Sequence, residues 1–86
     1  MKYTVKVDKL VVKTLQALDK QTARRIYARL AELADDPYAL RLSKPLKMLP
    51  GRRSSRVGDW RIIYRVEEES RTIMITAVKS REKAYK

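Results

Sequence analysis

Three arginines lie close together in RVGDWRIIYRV (residues 56–66), the most strand-like segment of the chain: Arg56, Arg61 and Arg65. A guanidinium group keeps its charge at physiological pH, and its planar set of donors matches two oxygens of a phosphate group. Side chains alternate between the two faces of a strand, so Arg61 and Arg65 share one face. We predict that the three arginines converge on one concave, solvent-facing surface of a sheet, where they can bind phosphate.

The apolar side chains of this segment belong to the opposite face. Val57 is the natural core residue of the preceding strand, which places its neighbour Arg56 on the open face with the other arginines. Four residues of the following strand are predicted to meet a layer of helices and are interpreted as core: Trp60, Ile62, Tyr64 and Val66. The structural alternative for the arginines is that they are ordinary exposed strand residues that splay apart.

The net charge of the chain supports an anionic partner. Lys and Arg number 21 against 10 Asp and Glu, a net charge of +11, and residues 41–65 alone hold eight basic residues and one acidic residue. A basic segment of this density predicts contact with a polyanion, whereas scattered charge usually serves only as a solvated surface. Besides Arg61, the residues predicted to contact RNA or phosphate are Lys44, Lys47, Arg52, Arg53, Arg56, Arg65 and Lys79.

The composition excludes several chemistries together. Without cysteine or histidine there is no disulfide, thiol nucleophile, Cys/His zinc site or imidazole base. We expect no metal and no cofactor. No apolar run approaches the roughly 18 residues of a membrane span, and the first ten residues do not read as a signal peptide, so we expect no membrane association and a cytoplasmic location.

Hydrophobic periodicity predicts one α+β domain over residues 1–86 with the order β-α-α-β-β-β. Alternation over residues 3–7 indicates a strand, and Asp8 is the predicted cap of the first helix. The two helices carry apolar stripes at helical spacing, formed by Val11, Leu15 and Leu18 in the first and by Ala23, Ile26, Leu30 and Leu33 in the second. We predict that they form a hairpin and pack on one face of the sheet.

Strands at 52–57, 60–66 and 71–78 are predicted to form an antiparallel meander. The N-terminal strand should join it at an edge or beside a central strand. Residues 37–51 read as an irregular connector, which we expect four leucines to hold against the core: Leu40, Leu42, Leu46 and Leu49.

Three segments of the chain carry a family pattern: KPLKMLPG, SSRVGDWRIIYRV and ITAVKSREKAY. Together they resemble the RelE/ParE superfamily of toxins from type II toxin–antitoxin systems. The resemblance covers essentially the whole chain, and RVGDWRIIY is its most specific element. It implies a small α/β toxin neutralised by a RelB-like antitoxin, with a toxin–antitoxin heterotetramer as one possible assembly. RelE-like members are similar in function to metal-independent endoribonucleases that cut mRNA on the ribosome (mRNA interferases), whereas ParE-like members inhibit DNA gyrase.

The resemblance also implies roles for individual residues. Arg61 matches the strand arginine that contacts the scissile phosphate, Arg81 matches the arginine after the last strand, and Tyr85 matches the C-terminal tyrosine implicated in catalysis. Arg56 occupies one of two usually basic positions on the preceding strand. Ser54 occupies the other, where some nucleases of the family place a catalytic lysine, so this departure leaves the general base open.

Cleavage of RNA without a metal requires attack by the 2′-hydroxyl on the adjacent phosphorus, with stabilisation of a dianionic phosphorane. Arg61 and Arg81 suit that stabilisation, and a tyrosine beside two cations has a lowered pKa, which makes Tyr85 a candidate base. Three interpretations stay open: a RelE-like mRNA interferase, a ParE-like gyrase inhibitor, and a catalytically silent basic RNA-binding module.

Overall fold

Residues 2–80 are described by the computed structural model, and they form seven elements in chain order. The elements are β1 (Thr4–Val7), α1 (Lys9–Ala17), α2 (Lys20–Asp35), β2 (Lys44–Pro45), β3 (Arg53–Val57), β4 (Trp60–Glu67) and β5 (Thr72–Ser80). The predicted α+β fold is confirmed, and only the two-residue strand β2 is additional. The segment that follows β5 lies outside the described residues.

An aspartate caps the N-terminus of each helix. The side chain of Asp8 accepts a hydrogen bond from the amide of Leu10 at 2.9 Å, and that of Asp19 accepts one from the amide of Thr22 at 3.0 Å. These bonds satisfy amides that have no partner within the first turn of a helix. Neither helix within residues 2–80 is long and apolar enough to cross a membrane.

The five strands form one sheet in the order β1-β5-β4-β3-β2. β1 lies at an edge and pairs in parallel with β5, while every other neighbouring pair is antiparallel. Gly58, with a φ of +58°, makes the tight turn between β3 and β4. The predicted meander and the edge position of the N-terminal strand therefore agree with the structure.

The core lies between the helices and one face of the sheet. Leu15 of α1 and Ile26 of α2 are buried in one cluster with Ile62, Tyr64 and Ile73 of the strands. The predicted inward face of β4 is confirmed. Because both helices supply this one core, and residues 2–80 contain no other helix, the opposite face of the sheet has no helical layer.

The connector between α2 and β3 is held differently from our expectation. Leu42 is buried, but Leu40 and Leu49 are 87% and 49% exposed, so the prediction that both reach the core is wrong. Hydrogen bonds from buried hydroxyl groups hold the connector against the sheet. The Tyr64 hydroxyl donates to the Pro37 carbonyl at 2.6 Å, and that of Ser55 donates to the Leu42 carbonyl at 2.7 Å.

A second polar cluster joins β1, the connector and the β4–β5 turn through one carboxylate. Glu68 accepts hydrogen bonds from the hydroxyls of Tyr3 and Tyr38, and Arg71 pairs with it at 3.2 Å. These donors lower the pKa of Glu68 below its ordinary value. Burial of the phenol and its bond to Glu68 raise the pKa of Tyr38 to about 12.

Candidate functional site

Three cations lie in one row across the open face of the sheet. Arg56 of β3 is the register partner of Arg61 of β4, and Arg61 is the register partner of Lys79 of β5. Residues directly opposite one another on neighbouring strands project to the same face with their Cβ atoms about 5 Å apart. We call Arg56, Arg61 and Lys79 the cationic row.

A β-bulge places Lys79 in this row. The pairs Ile63–Ala77 and Tyr64–Ile75 leave Thr76 as an extra residue in β5, and its hydroxyl donates to the Ile63 carbonyl at 3.2 Å. Strict alternation from the buried Ile75 would send Lys79 to the core face. The extra residue reverses the alternation, so that Val78 is buried and Lys79 is exposed.

A groove of about 310 Å³ lies beside the row. It runs between the connector, α2 and the strands β2, β3 and β4. We call it the basic groove, and its lining residues are Arg29, Leu40, Arg41, Leu42, Ser43, Lys44, Ser54, Arg56 and Arg61. Five of these nine residues are cationic and none is acidic. The groove therefore favours an anionic ligand.

Side-chain contacts hold three of the arginines at the groove. A terminal nitrogen of Arg29 donates to the Ser55 hydroxyl at 2.9 Å and to the Arg56 carbonyl at 2.8 Å. Glu32 lies 3.4 Å from both Arg29 and Arg41, so one carboxylate offsets part of two positive charges. Among the contacts of Arg56 is a hydrogen bond from Nε to the Gly58 carbonyl at 3.1 Å.

Lys44 and Ser54 are register partners on β2 and β3. Ser54 is 4% exposed, and it lies two residues from Arg56 on the same strand and the same face. Lys44 therefore lies beside Ser54 on the adjacent strand and shares its face of the sheet. Lys44, Ser54, Arg56 and Arg61 all line the basic groove.

Arg65 shares the open face but does not join the groove. It is four residues beyond Arg61 on β4, about 13 Å along the strand at 3.3 Å per residue. Its guanidinium pairs with Glu67 at 2.9 Å. Our expectation that all three arginines converge is correct for Arg56 and Arg61 but wrong for Arg65.

The other predicted phosphate-binding residues lie elsewhere. Arg53 pairs in register with the buried Tyr64, donates from Nε to the Ser43 hydroxyl at 3.1 Å and has its guanidinium carbon 5.4 Å from the centre of the Tyr38 ring. Arg52 is half-buried and lines a separate pocket with Arg53. Lys47 is exposed in the β2–β3 loop and does not line the groove.

Arg81 and Tyr85 lie outside the described residues, so their predicted roles stay predictions. Within residues 2–80 no group of carboxylates is arranged to hold a metal ion.

Sequence reasoning missed Arg29 and Arg41 as groove residues. Arg29 precedes the buried Leu30 on α2 and lies at the border of the apolar stripe, a position from which a long side chain can reach a neighbouring strand. Arg41 belongs to the same acid-free stretch as Lys44, since residues 37–58 contain neither Asp nor Glu. The absence of acidic residues from this stretch is the sequence feature that could have indicated that Arg41 belongs to the basic groove.

Comparisons with known proteins identify the family of the chain. A family model described as the ParE toxin of the type II toxin–antitoxin system, parDE, matches residues 5–85. Among curated protein sequences, none matches this chain.

Several solved structures have the same fold. A chain of the archaeal RelE–RelB complex from Pyrococcus horikoshii OT3 is 33% identical with a TM-score of 0.82, covering 94% of this chain and 97% of that one. A chain of the toxin–antitoxin complex RelBE2 from Mycobacterium tuberculosis is 30% identical with a TM-score of 0.81, covering 94% and 100%. A mutant of the E. coli toxin RelE in the free state has a TM-score of 0.82 at 18% identity, over 99% of this chain and 90% of that one, which shows the fold alone.

The family model spans nearly all of the chain, and two of the similar structures reach 30% identity over almost their whole length. The chain belongs to the ParE toxin family of type II toxin–antitoxin systems, within the RelE/ParE superfamily.

Proposed function

We propose that this toxin is a ribosome-dependent mRNA endoribonuclease. The observation that supports the proposal is the cationic row beside the basic groove. Register pairing brings Arg56, Arg61 and Lys79 together on an open face, where a bent RNA strand can approach them. The groove beside the row carries four further cationic or hydroxyl side chains from the connector and β3: Arg41, Ser43, Lys44 and Ser54.

The reaction follows from these groups and requires no metal. The 2′-hydroxyl of one nucleotide attacks the adjacent phosphorus, which forms a 2′,3′-cyclic phosphate and releases the 5′ oxygen of the next nucleotide. Arg61, at the centre of the row, binds the phosphate oxygens and stabilises their added negative charge, with Arg56 beside it. By resemblance, Arg81 shares this task and Tyr85 accepts the 2′ proton. Lys79 binds a neighbouring phosphate.

An antitoxin resembling RelB is the proposed protein partner. The similar chains from Pyrococcus horikoshii and Mycobacterium tuberculosis come from complexes of a toxin with its antitoxin. A net charge of +11 favours an acidic antitoxin segment that covers the basic face. We propose a toxin–antitoxin complex in which that segment competes with RNA for the cationic row.

A second candidate function is inhibition of DNA gyrase, as in ParE-like members. It is favoured by the name of the matching family model and by Ser54, which stands where some nucleases of the superfamily place a lysine. In that case the cationic row would bind protein or DNA without cleaving a nucleic acid.

Primer extension on a message translated in a purified system separates the two candidates. Cleavage at defined codon positions only when ribosomes are present supports the nuclease. An intact message together with trapped gyrase–DNA complexes supports the gyrase inhibitor. If neither result is obtained, the remaining interpretation is a catalytically silent binding module.

The Arg61→Ala variant tests the central residue of the row. We expect cleavage to slow about a hundredfold or more, since loss of one group that stabilises transition-state charge costs roughly 3 kcal/mol. Arg24→Ala is the matched control, because Arg24 is exposed on α2 and does not line the groove. Loss of growth inhibition by Arg61→Ala with undiminished cleavage would contradict this assignment.

A further inference from the structure

Lys44 holds a position in the basic groove that its place in the sequence does not reveal. It lies on the two-residue strand β2, opposite Ser54 in register and diagonal to Arg56, at a Cα separation of about 7–8 Å for such diagonal neighbours. Its Cα lies two strands and two residues from that of Arg61, which corresponds to about 12 Å at ordinary strand spacings. Both side chains line the same groove, so a phosphate group can lie between them.

The groove has few side chains that can transfer a proton. Three of its described lining residues are apolar or hydroxyl-bearing residues of the connector, and four are arginines, which keep their protons at any physiological pH. The hydroxyl of Ser54 is too weak an acid to protonate a leaving group efficiently. Lys44 is the one described residue of the lining whose side chain is an ammonium group, which can donate a proton and later recover it from water.

A strand of RNA across the row needs such a donor on the side of the leaving group. When the bond between phosphorus and the 5′ oxygen breaks, that oxygen departs as an alkoxide unless a proton reaches it in the transition state. Arg56 and Arg61 lie on the neighbouring inner strands β3 and β4 and suit the non-bridging phosphate oxygens. Lys44 lies beyond them on the edge strand and lines the same groove, so it is on the leaving-group side of an RNA strand whose leaving nucleotide extends toward β2.

We propose that Lys44 is the general acid that protonates the leaving 5′ oxygen, an inference that rests on the proposed ribonuclease function. The balance of the step is simple. The bond between the 2′ oxygen and phosphorus forms, the bond between phosphorus and the 5′ oxygen breaks, and the 2′ proton passes to the base. One proton moves from the Lys44 ammonium to the 5′ oxygen, and water later returns a proton to the amine. The products are a 2′,3′-cyclic phosphate and a free 5′-hydroxyl.

The test uses the full chain, ribosomes and a short message with a single cleavage site, made with either the natural 5′ oxygen or a bridging sulfur at that site. A thiolate leaves without protonation, so the sulfur substrate removes the need for a general acid. We expect Lys44→Ala to slow cleavage of the ordinary message about a hundredfold, the usual contribution of a positioned acid or base. The sulfur substrate should restore its rate to within a fewfold of the wild type.

Three further variants make the result specific. Lys44→Arg keeps the charge but not the proton donor, so it should remain slow on the ordinary message and recover with sulfur. Arg61→Ala should remain slow on both substrates, because phosphate stabilisation is still required. Lys13→Ala, at an exposed position on α1 outside the groove, should cleave like the wild type. Lys44 and Lys13 are both exposed, so neither change should disturb folding, which thermal melting checks.

The possible failures are distinguishable. An intact message with the wild-type chain and ribosomes overturns the ribonuclease function and this inference together. If the wild type cleaves the message and Lys44→Ala cleaves it at the same rate, the inference is overturned but the ribonuclease function is not. The inference also falls if Lys44→Ala is slow on both substrates, or if Lys44→Arg is fully active, since the role of Lys44 would then be purely electrostatic.

Discussion

Repulsion within the cationic row should lower the free energy of unfolding of the free toxin. Like charges directly opposite on neighbouring strands destabilise a sheet, and Lys79 lies opposite Arg61. Two unit charges about 6 Å apart repel by about 0.7 kcal/mol in water. Screening leaves about 0.6 kcal/mol at 10 mM salt, where the Debye length is about 30 Å, and about 0.1 kcal/mol at 1 M, where it is about 3 Å.

The Lys79→Gln variant therefore should be more stable than the wild type in low salt. For a domain of this size 1 kcal/mol shifts the melting temperature by about 4–8 °C, so we expect a gain of about 2–5 °C at 10 mM salt and less than about 1 °C at 1 M. Thermal melting followed by circular dichroism over that salt range measures both values. The same variant should bind single-stranded RNA more weakly, with a smaller salt dependence, because one phosphate contact is lost.

The control is Lys13→Gln, which removes one positive charge from an exposed position on α1, away from the row. Both variants lower the net charge from +11 to +10, so general self-repulsion cancels in the comparison. The reasoning is refuted if the two variants gain equally, or if the gain of Lys79→Gln persists at 1 M salt. Either result would mean that Lys79 does not repel Arg61 across the strand pair.

Two other predictions concern the polar contacts that hold the fold. The Pro37 carbonyl accepts hydrogen bonds from both Tyr64 and Ser43, so Tyr64→Phe should lower the free energy of unfolding in urea by about 1 kcal/mol. The double variant with Ser43→Ala should lose about 1 kcal/mol more than the sum of the two single losses, because the carbonyl then has no donor from either side chain. Additive losses would contradict this prediction. The hydrogen-bonding partners of Glu68 lower its pKa, so its contribution to stability is present above the ordinary value of 4.5 and is lost as the pH falls through the lowered pKa. The stability advantage of the wild type over Glu68→Gln at pH 6 should therefore shrink as the pH falls below 4.5, and an advantage that stays constant would contradict the assignment.

Side-chain alternation predicted correctly which residues of β4 meet the helices, but the opposite face is less exposed than predicted, because Ile63 between Arg61 and Arg65 is also buried. Ile62 and Tyr64 are fully buried, and Arg61 faces the other way in register with Arg56. The position of Lys79 could not be predicted in the same manner. One extra residue at Thr76 reverses the faces of β5, and nothing in RTIMITAV marks a bulge, since it contains neither glycine nor proline.

The connector was the least predictable part of the fold. Four leucines suggested an apolar anchor, yet Leu40 is almost fully exposed and the carbonyl of Pro37 is the anchored group. Periodicity reports which side chains share a face, but it carries no information on hydrogen bonds to backbone carbonyls within an irregular segment. The placement of Lys44 beside Ser54 depends on those bonds and was therefore beyond the reach of sequence patterns.

The connector contacts both the core face of the sheet and the edge of the basic groove. Tyr64 and Ser55 project from the core face of the sheet, and their hydroxyls hold the carbonyls of Pro37 and Leu42. The chain then continues within two residues from Leu42 to Lys44, which pairs with Ser54 on the next strand. A change at Tyr64 or Ser55 can thus displace the edge of the groove, although neither residue lines it. This buried anchor thus places Lys44 beside Ser54, and both residues line the basic groove.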